Sequence, residues 1–216
     1  MKKEESADFD QKAALWDTDP FRAGLARDIS QSICREVVLN DHMDVADFGC
    51  GTGLVALHLR PLVRSVTGFD SSRGMLDVFI RKIEQRKISG VTAHYVDFGK
   101  GGRLTGRYHL IVSSMTLHHV KDVPALFQTF YKNLLPGGCI CLADLDVEDG
   151  IFHDSNEGIH HFGFDRDVLG GILRDAGYED VRAVKATDVV KVCRDGVERK
   201  FSIFLMIAHK ARISEE

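Results

Sequence analysis

From Pro20 onward the apolar residues Phe21, Leu25, Ile29, Ile33 and Val37 recur at four-residue spacing, which predicts an amphipathic helix ahead of the first strand. The stretch before it is polar, broken by Phe9, Leu15 and Trp16. From Asp44 the period changes, and strand-sized apolar runs alternate with helical patterns. A strand runs to Phe48, a helix starts from Gly53, and a second strand covers Ser65 to Phe69. A helix carrying Met75, Phe79 and Ile83 then leads to a strand over Val91 to Val96, and Tyr108 to Ser113 forms a further strand. Asp122 caps a helix with Val123, Leu126, Phe127, Phe130 and Leu134 on one face, ended by Pro136-Gly137-Gly138.

Cys139 to Leu145 reads as another buried strand. The next segment, Asp146 to Phe162, is polar, histidine-rich and weakly periodic, the character of a lid or substrate loop. Asp165 caps a helix over Val168, Leu169, Ile172 and Leu173, stopped at Gly177. Two strands close the chain, roughly Tyr178 to Val190 and Glu198 to His209, joined near Asp195-Gly196 by a hairpin signal. Alternating strands and helices predict an α/β fold with a doubly wound, mainly parallel seven-stranded sheet and an antiparallel C-terminal hairpin strand.

Composition narrows the possibilities further. At 216 residues and 44% apolar content the chain suits one domain with a buried core. A formal net charge of −4 leaves no electrostatic footprint for nucleic acid. The five cysteines, Cys34, Cys50, Cys139, Cys141 and Cys193, are odd in number and contain no C-x-x-C pair, so neither a disulfide framework nor a metal site is expected. The charged start, Met1-Lys2-Lys3-Glu4-Glu5, lacks the apolar core of a signal peptide, and no apolar run approaches membrane-spanning length. A cytoplasmic location is the expectation.

The chemistry concentrates in Val45-Ala46-Asp47-Phe48-Gly49-Cys50-Gly51-Thr52-Gly53-Leu54, a strand end followed by three alternating glycines. Glycines let the backbone turn tightly into the next helix. A dinucleotide fingerprint would place its third glycine where Leu54 stands, and Asp47 would repel a pyrophosphate but attract an ammonium or sulfonium group. Roughly twenty residues further on, Asp70 ends the second strand, where an acid can accept hydrogen bonds from ribose hydroxyls. Asp97-Phe98 ends the third strand, where a carboxylate can accept from an adenine amino group while the ring packs on the base. Ligands bind outside the carboxyl ends of such strands, so the three acids can converge on one molecule.

These motifs resemble the class I S-adenosylmethionine-dependent methyltransferases over roughly residues 44 to 210. Asp47 to Gly53 resembles that family's first motif, Asp70-Ser71-Ser72-Arg73-Gly74-Met75-Leu76 its ribose-binding motif, and Asp97-Phe98 its adenine contact. Leu117-His118-His119-Val120, Leu134-Leu135-Pro136-Gly137-Gly138 and the opening Phe9-Asp10-Gln11-Lys12-Ala13-Ala14-Leu15-Trp16-Asp17 are similar to the small-molecule branch that includes ubiquinone and menaquinone biosynthesis methyltransferases. His109 departs from the acid that many relatives carry before the fourth strand.

The resemblance implies a Rossmann-like methyltransferase fold, S-adenosyl-L-methionine as cofactor and a small-molecule acceptor. It further implies a cofactor site of Asp47, Gly49, Cys50, Gly51, Gly53, Asp70, Ser71, Met75, Asp97, Phe98 and the backbone carbonyl of Ser113. On this plan one domain comprises a helical cap (1–40), a cofactor-binding core (41–145), an acceptor-site loop (146–163) and a C-terminal helix and hairpin (164–216). An acceptor that must lose a proton needs a base, and His119 and His161 are the expected catalytic residues among His118, His119, His153, His160 and His161. The rival readings are a nicotinamide dehydrogenase, a cofactor-binding partner subunit without methyl transfer, and an RNA methyltransferase.

Overall fold

In a computed structural model that describes residues 5–212, seven strands form one sheet in the order β3-β2-β1-β4-β5-β7-β6. The strands are β1 (Asp44–Phe48), β2 (Ser65–Asp70), β3 (Val91–Tyr95), β4 (Tyr108–Ser114), β5 (Leu134–Leu145), β6 (Glu179–Val192) and β7 (Glu198–His209). β1 through β5 run parallel, while β7 lies antiparallel between β5 and β6. The expected fold class is the one observed. The charged start Met1-Lys2-Lys3-Glu4 lies outside the described residues.

Among the described residues six α-helices, α1 (Glu5–Lys12), α2 (Pro20–Glu36), α3 (Leu54–Leu59), α4 (Arg73–Gln85), α5 (Val123–Asn133) and α6 (Arg166–Asp175), pack around this sheet. Strand alternation divides the core between the two faces. Val45, Leu110, Val112 and Cys141 pack with Ile29, Ile33, Leu59 and Phe79 on one side; Ala46, Ile111, Ile140 and Phe204 pack with Leu126, Phe127, Phe130 and Leu173 on the other. The helix starts are fixed by side-chain caps. Asp19 accepts from the Phe21 N–H, Ser72 from Met75, Asp122 from Ala125, and Asp165 from Asp167 and Val168. Each cap contributes about 1 kcal/mol by satisfying an N–H that the helix leaves open.

Two boundaries differ from expectation. α5 stops at Asn133, and Leu134 has extended backbone and pairs with Tyr108, so Leu134 to Gly138 belong to β5. Gly137, at φ +74, sends its N–H to the carbonyls of Lys210 and Ala211 and ties that stretch to the chain's C-terminal segment. The pairing energy of the strand outweighs the helical period that placed Leu134 on the α5 face. The 146–163 segment has no helix or long strand, yet it is tightly tethered. Glu148 accepts from the Ile151 and Phe152 N–H groups, Phe152 is buried, and Lys191 donates to the Phe152 carbonyl. Among the described residues no helix is long and apolar enough to cross a membrane.

The strand order reverses between β1 and β4, which opens a crevice at the carboxyl ends of the parallel strands. β1, β2 and β4 deliver Phe48, Asp70 and Ser114 to that edge, and the rest of the site is hung on it.

Candidate active site

Gly49, Gly51 and Gly53 take φ values of +71, +54 and +82, a left-handed region costly for any other residue. A Cβ at Gly49 would overlap the Thr116 side chain, and one at Gly53 would overlap the ring of Phe79. Gly51 instead faces open space. The turn is anchored by the Phe69 carbonyl, which accepts from the N–H groups of Gly49 at 2.8 Å and Cys50 at 3.1 Å. Thus β2 holds the turn while the turn lines a cavity.

Asp70 closes the turn from β2. Its Oδ2 accepts from the Gly51 N–H at 2.7 Å and its Oδ1 from the Ser72 N–H at 2.8 Å. Burial raises its carboxyl above the usual range despite those two donors. Asp47 is more extreme. It is 1% exposed, and its Oδ2 has no hydrogen-bond partner among the described residues. Burial, with the nearby Asp70 charge adding to it, pushes this carboxyl up to about 7. An unpaired buried carboxylate is costly, and a cation placed beside it would restore the ionised form.

The cavity measures about 810 Å³, the scale of a cofactor with a second small molecule. Its walls include Asp47, Gly49, Cys50, Gly51, Asp70, Ser71, Met75, Asp97, Phe98 and His119, so ten of the thirteen expected site residues converge on it. Phe98 meets Phe48 edge-on with ring centroids 6.3 Å apart. Asp97 does double duty: its Oδ1 accepts from the Lys100 N–H, capping the helical turn Phe98–Lys100, while it also lines the cavity.

Three expectations need correcting. Gly53 serves the turn, as expected, but does not line the cavity; it sits behind the wall, where its missing Cβ makes room for Phe79. Ser113 is buried within the sheet between Phe48 and Leu142, and Ser114 and Met115 take the wall position instead. His161 is turned away. Its Nε2 donates to the Val120 carbonyl at 3.0 Å and its ring packs on Phe164, while His160 reaches the cavity in its place.

His119 sits on the wall with its Nδ1 2.9 Å from the Gly158 carbonyl. A carbonyl only accepts, so Nδ1 carries the proton and Nε2 is the ring's acceptor. Burial first, and the neighbouring His118 second, push His119 down to about 4, which keeps it neutral near pH 7. Behind it lies a pair that the sequence did not single out. The His118 Nδ1–H donates to Asp144 Oδ1 at 2.8 Å, and both side chains are buried. Burial alone would raise the Asp144 carboxyl; the His118 charge and the N–H groups of His118 and Leu145 outweigh it and hold it below the usual range. The His118 carbonyl in turn accepts from the N–H groups of His160 and His161. Asp144 therefore positions the turn that positions the loop.

The N-terminal cap completes the enclosure. Asp17 accepts from Thr52 Oγ1 at 2.5 Å and pairs with Lys82 at 2.6 Å, and Asp10 accepts from Ser72 Oγ at 2.6 Å and the Gly74 N–H at 2.8 Å. Phe9, Trp16 and Arg22 are thereby brought onto the cavity wall. His109, the departure noted in the sequence, accepts from the Asp44 N–H at 3.1 Å and is a strand-end contact.

A glycine turn, three acids at or just beyond strand ends and a covered crevice at the switch point define a doubly wound α/β protein with a cavity at the carboxyl ends of its parallel strands. The methyltransferase domain family matches residues 21–183, and the chain belongs to that family. It is similar to an uncharacterized methyltransferase of Schizosaccharomyces pombe, at 28% identity over 66% of this chain and 55% of that protein. It is also similar to phosphoethanolamine N-methyltransferase 1 of Arabidopsis thaliana, at 31% identity over 74% of this chain and 34% of that protein. The chain thus spans about half the length of the first relative and about a third of the second. Among solved structures, Haemonchus contortus phosphoethanolamine N-methyltransferase 2 in complex with S-adenosyl-L-methionine shares the fold, with a TM-score of 0.69 at 15% identity over 94% of this chain and 60% of that one. A putative methyltransferase from Bacillus halodurans gives 0.67 at 20% identity over 84% of this chain and 98% of that one.

Proposed function

We propose that the protein is an S-adenosylmethionine-dependent methyltransferase acting on a small organic acceptor. The observation that carries this reading is Asp47, a fully buried carboxylate with an unpaired oxygen on the wall of a glycine turn. A pyrophosphate would meet repulsion there, whereas the ammonium of a methionyl group supplies the missing charge. That distinction also weighs against a nicotinamide dehydrogenase.

In this reading Gly49 and Gly51 let backbone approach the methionyl part, and Asp70 accepts from the ribose hydroxyls. A carboxylate offers about four lone-pair sites, so the two N–H groups on Asp70 leave room for both hydroxyls. Asp97, Phe98 and Met75 line the adenine end. The bound cofactor supplies an electrophilic methyl group on a sulfonium centre. His119, neutral and with Nε2 as its acceptor, would orient an O–H or N–H of the substrate, and Phe9, Trp16 and Met115 would exclude water from the transfer. Holding the reacting atoms in line contributes roughly 7–11 kcal/mol of barrier reduction without any strong base.

The phosphoethanolamine relatives support an acceptor of metabolite size. Calorimetric titration with S-adenosylhomocysteine, followed by a screen of amine and hydroxyl metabolites for methyl transfer, tests the proposal. Heat of binding with turnover of one acceptor class is expected; no binding of the thioether contradicts the cofactor assignment, and binding without turnover contradicts the enzymatic one.

A further inference from the structure

We propose that the stretch from Gly158 to His161 sets the tautomer of His119, with His161 as the positioning residue that holds this stretch against the turn Leu117–His119. Its bearing on methyl transfer rests on the function proposed above. The pairing itself depends on no ligand.

Three consecutive residues after β4 take up the contact in turn. The His118 carbonyl accepts from the N–H groups of His160 at 2.8 Å and His161 at 3.2 Å, the His119 Nδ1–H donates to the Gly158 carbonyl at 2.9 Å, and the Val120 carbonyl accepts from His161 Nε2 at 3.0 Å. The base of the loop is closed separately. There the Phe164 N–H donates to the Leu145 carbonyl and the Glu148 N–H to the Phe162 carbonyl, and a Cβ on Gly163 would overlap the Asp146 backbone. His161 fastens the stretch beyond that closure, through its Nε2 and through a ring whose centroid lies 5.0 Å from that of Phe164.

The consequence is chemical. A neutral imidazole has one donor and one acceptor nitrogen, and the hydrogen bond made by one of them decides the role of the other. Burial keeps His119 neutral near pH 7. Its ring is also held in place, since Phe9 meets it edge-on at 5.2 Å and His118 lies tilted against it at 4.3 Å. With the Gly158 carbonyl accepting at Nδ1, the ring that lines the cavity keeps Nε2 as its acceptor. Without that carbonyl the proton is free to settle on Nε2, and the ring then offers a donor to a substrate hydroxyl or amine that brings a donor of its own. The docked loop therefore decides which hydrogen-bond polarity the acceptor end presents.

Long-range proton–nitrogen spectra of the protein with isotope-labelled histidine read the tautomer directly, and His119→Gln identifies the His119 signals by their loss. Wild-type protein should show a protonated Nδ1 and an unprotonated Nε2. His161→Phe keeps a ring against Phe164 but lacks the donor, and it should draw the two His119 nitrogen shifts toward each other, as should His161→Ala. His161→Gln restores an N–H donor and should return the shifts toward their wild-type values. Calorimetry with S-adenosylhomocysteine is the control: His161 does not line the cavity, so all three variants should bind within about twofold of wild type. A wild-type His119 protonated at Nε2, unchanged shifts in both donor-less variants, or a loss of thioether affinity in step with the shifts would overturn the assignment. Wild-type protein with the expected nitrogen shifts that binds no S-adenosylhomocysteine overturns the cofactor reading instead, a separate result.

Discussion

The two ends of the cavity solve opposite electrostatic problems. The glycine-turn end keeps charge in reserve: Asp47 is buried with an oxygen unpaired, and its carboxyl is pushed up to about 7 by burial. The histidine end presents neutral imidazole to the cavity. His119 is pushed down to about 4 and His153 to about 3, burial being the largest cause in both, and the rings of Phe9 and Trp16 complete the wall. A cation completes the first end, and the second is finished without one. Under the proposed function, recognition of the donor would rely on charge, and recognition of the acceptor on shape and on a single oriented imidazole acceptor.

Removing the support of the histidine end should have the largest effect. Asp144→Ala leaves the His118 Nδ1–H, its N–H and the Leu145 N–H without their acceptor in a dry site, so stability should fall by about 3–5 kcal/mol. Thermal melts and urea titration measure this. A loss below about 1 kcal/mol, the range of a surface substitution, would show that Asp144 is not the support described here.

At the other end, Asp70→Ala should spare much of the fold but weaken S-adenosylhomocysteine binding by about 1.5–3 kcal/mol, roughly tenfold or more. Undiminished affinity would remove Asp70 from the ligand. The contrast between the ends is then strong support on one side and strong binding on the other.

The smallest expected effect sets both ends against each other in the ligand-free protein. His119 is lowered in the fold, so its contribution is complete above its unfolded pKa near 6.5 and is lost as pH falls from there toward 4. Asp47 is raised, so its contribution has the opposite sign, present below its unfolded pKa near 3.8 and lost as pH rises toward 7. Between pH 4 and 6.5 the two nearly cancel, and the pair together should change stability by less than about 1 kcal/mol. Denaturant titrations across that range should show a steeper acid loss for Asp47→Asn and a flatter one for His119→Gln. Slopes that stay unchanged in both variants would break the comparison.

The glycine-turn end was largely legible in the sequence because its signals are local. Asp47, three glycines and Leu54 lie in one run, and Asp70 and Asp97 each end a strand whose period could be read directly. The parallel register then brings those strand ends together without further information. Ser113 was misplaced by one residue because a strand's period of two decides which neighbour faces the cavity, and the bend at Met115, whose φ is +52, follows directly on Ser114.

The histidine end was hidden for the converse reason. His118, Asp144 and His160 meet only through tertiary contacts, and the five candidate histidines carried no sequence signal to rank them. His161 was favoured over His160 although adjacent residues in an irregular segment face different ways, here toward the Val120 carbonyl and toward the cavity.

The most direct test of the whole account is S-adenosylhomocysteine affinity measured by calorimetry between pH 6 and 8 for wild type and Asp47→Asn. If a buried acid waits for the ammonium group, wild-type affinity rises with pH by up to about tenfold per unit below 7 and levels off above it, while the Asn variant binds more weakly and without that slope. A wild-type affinity independent of pH, or the same slope in both proteins, would contradict the account.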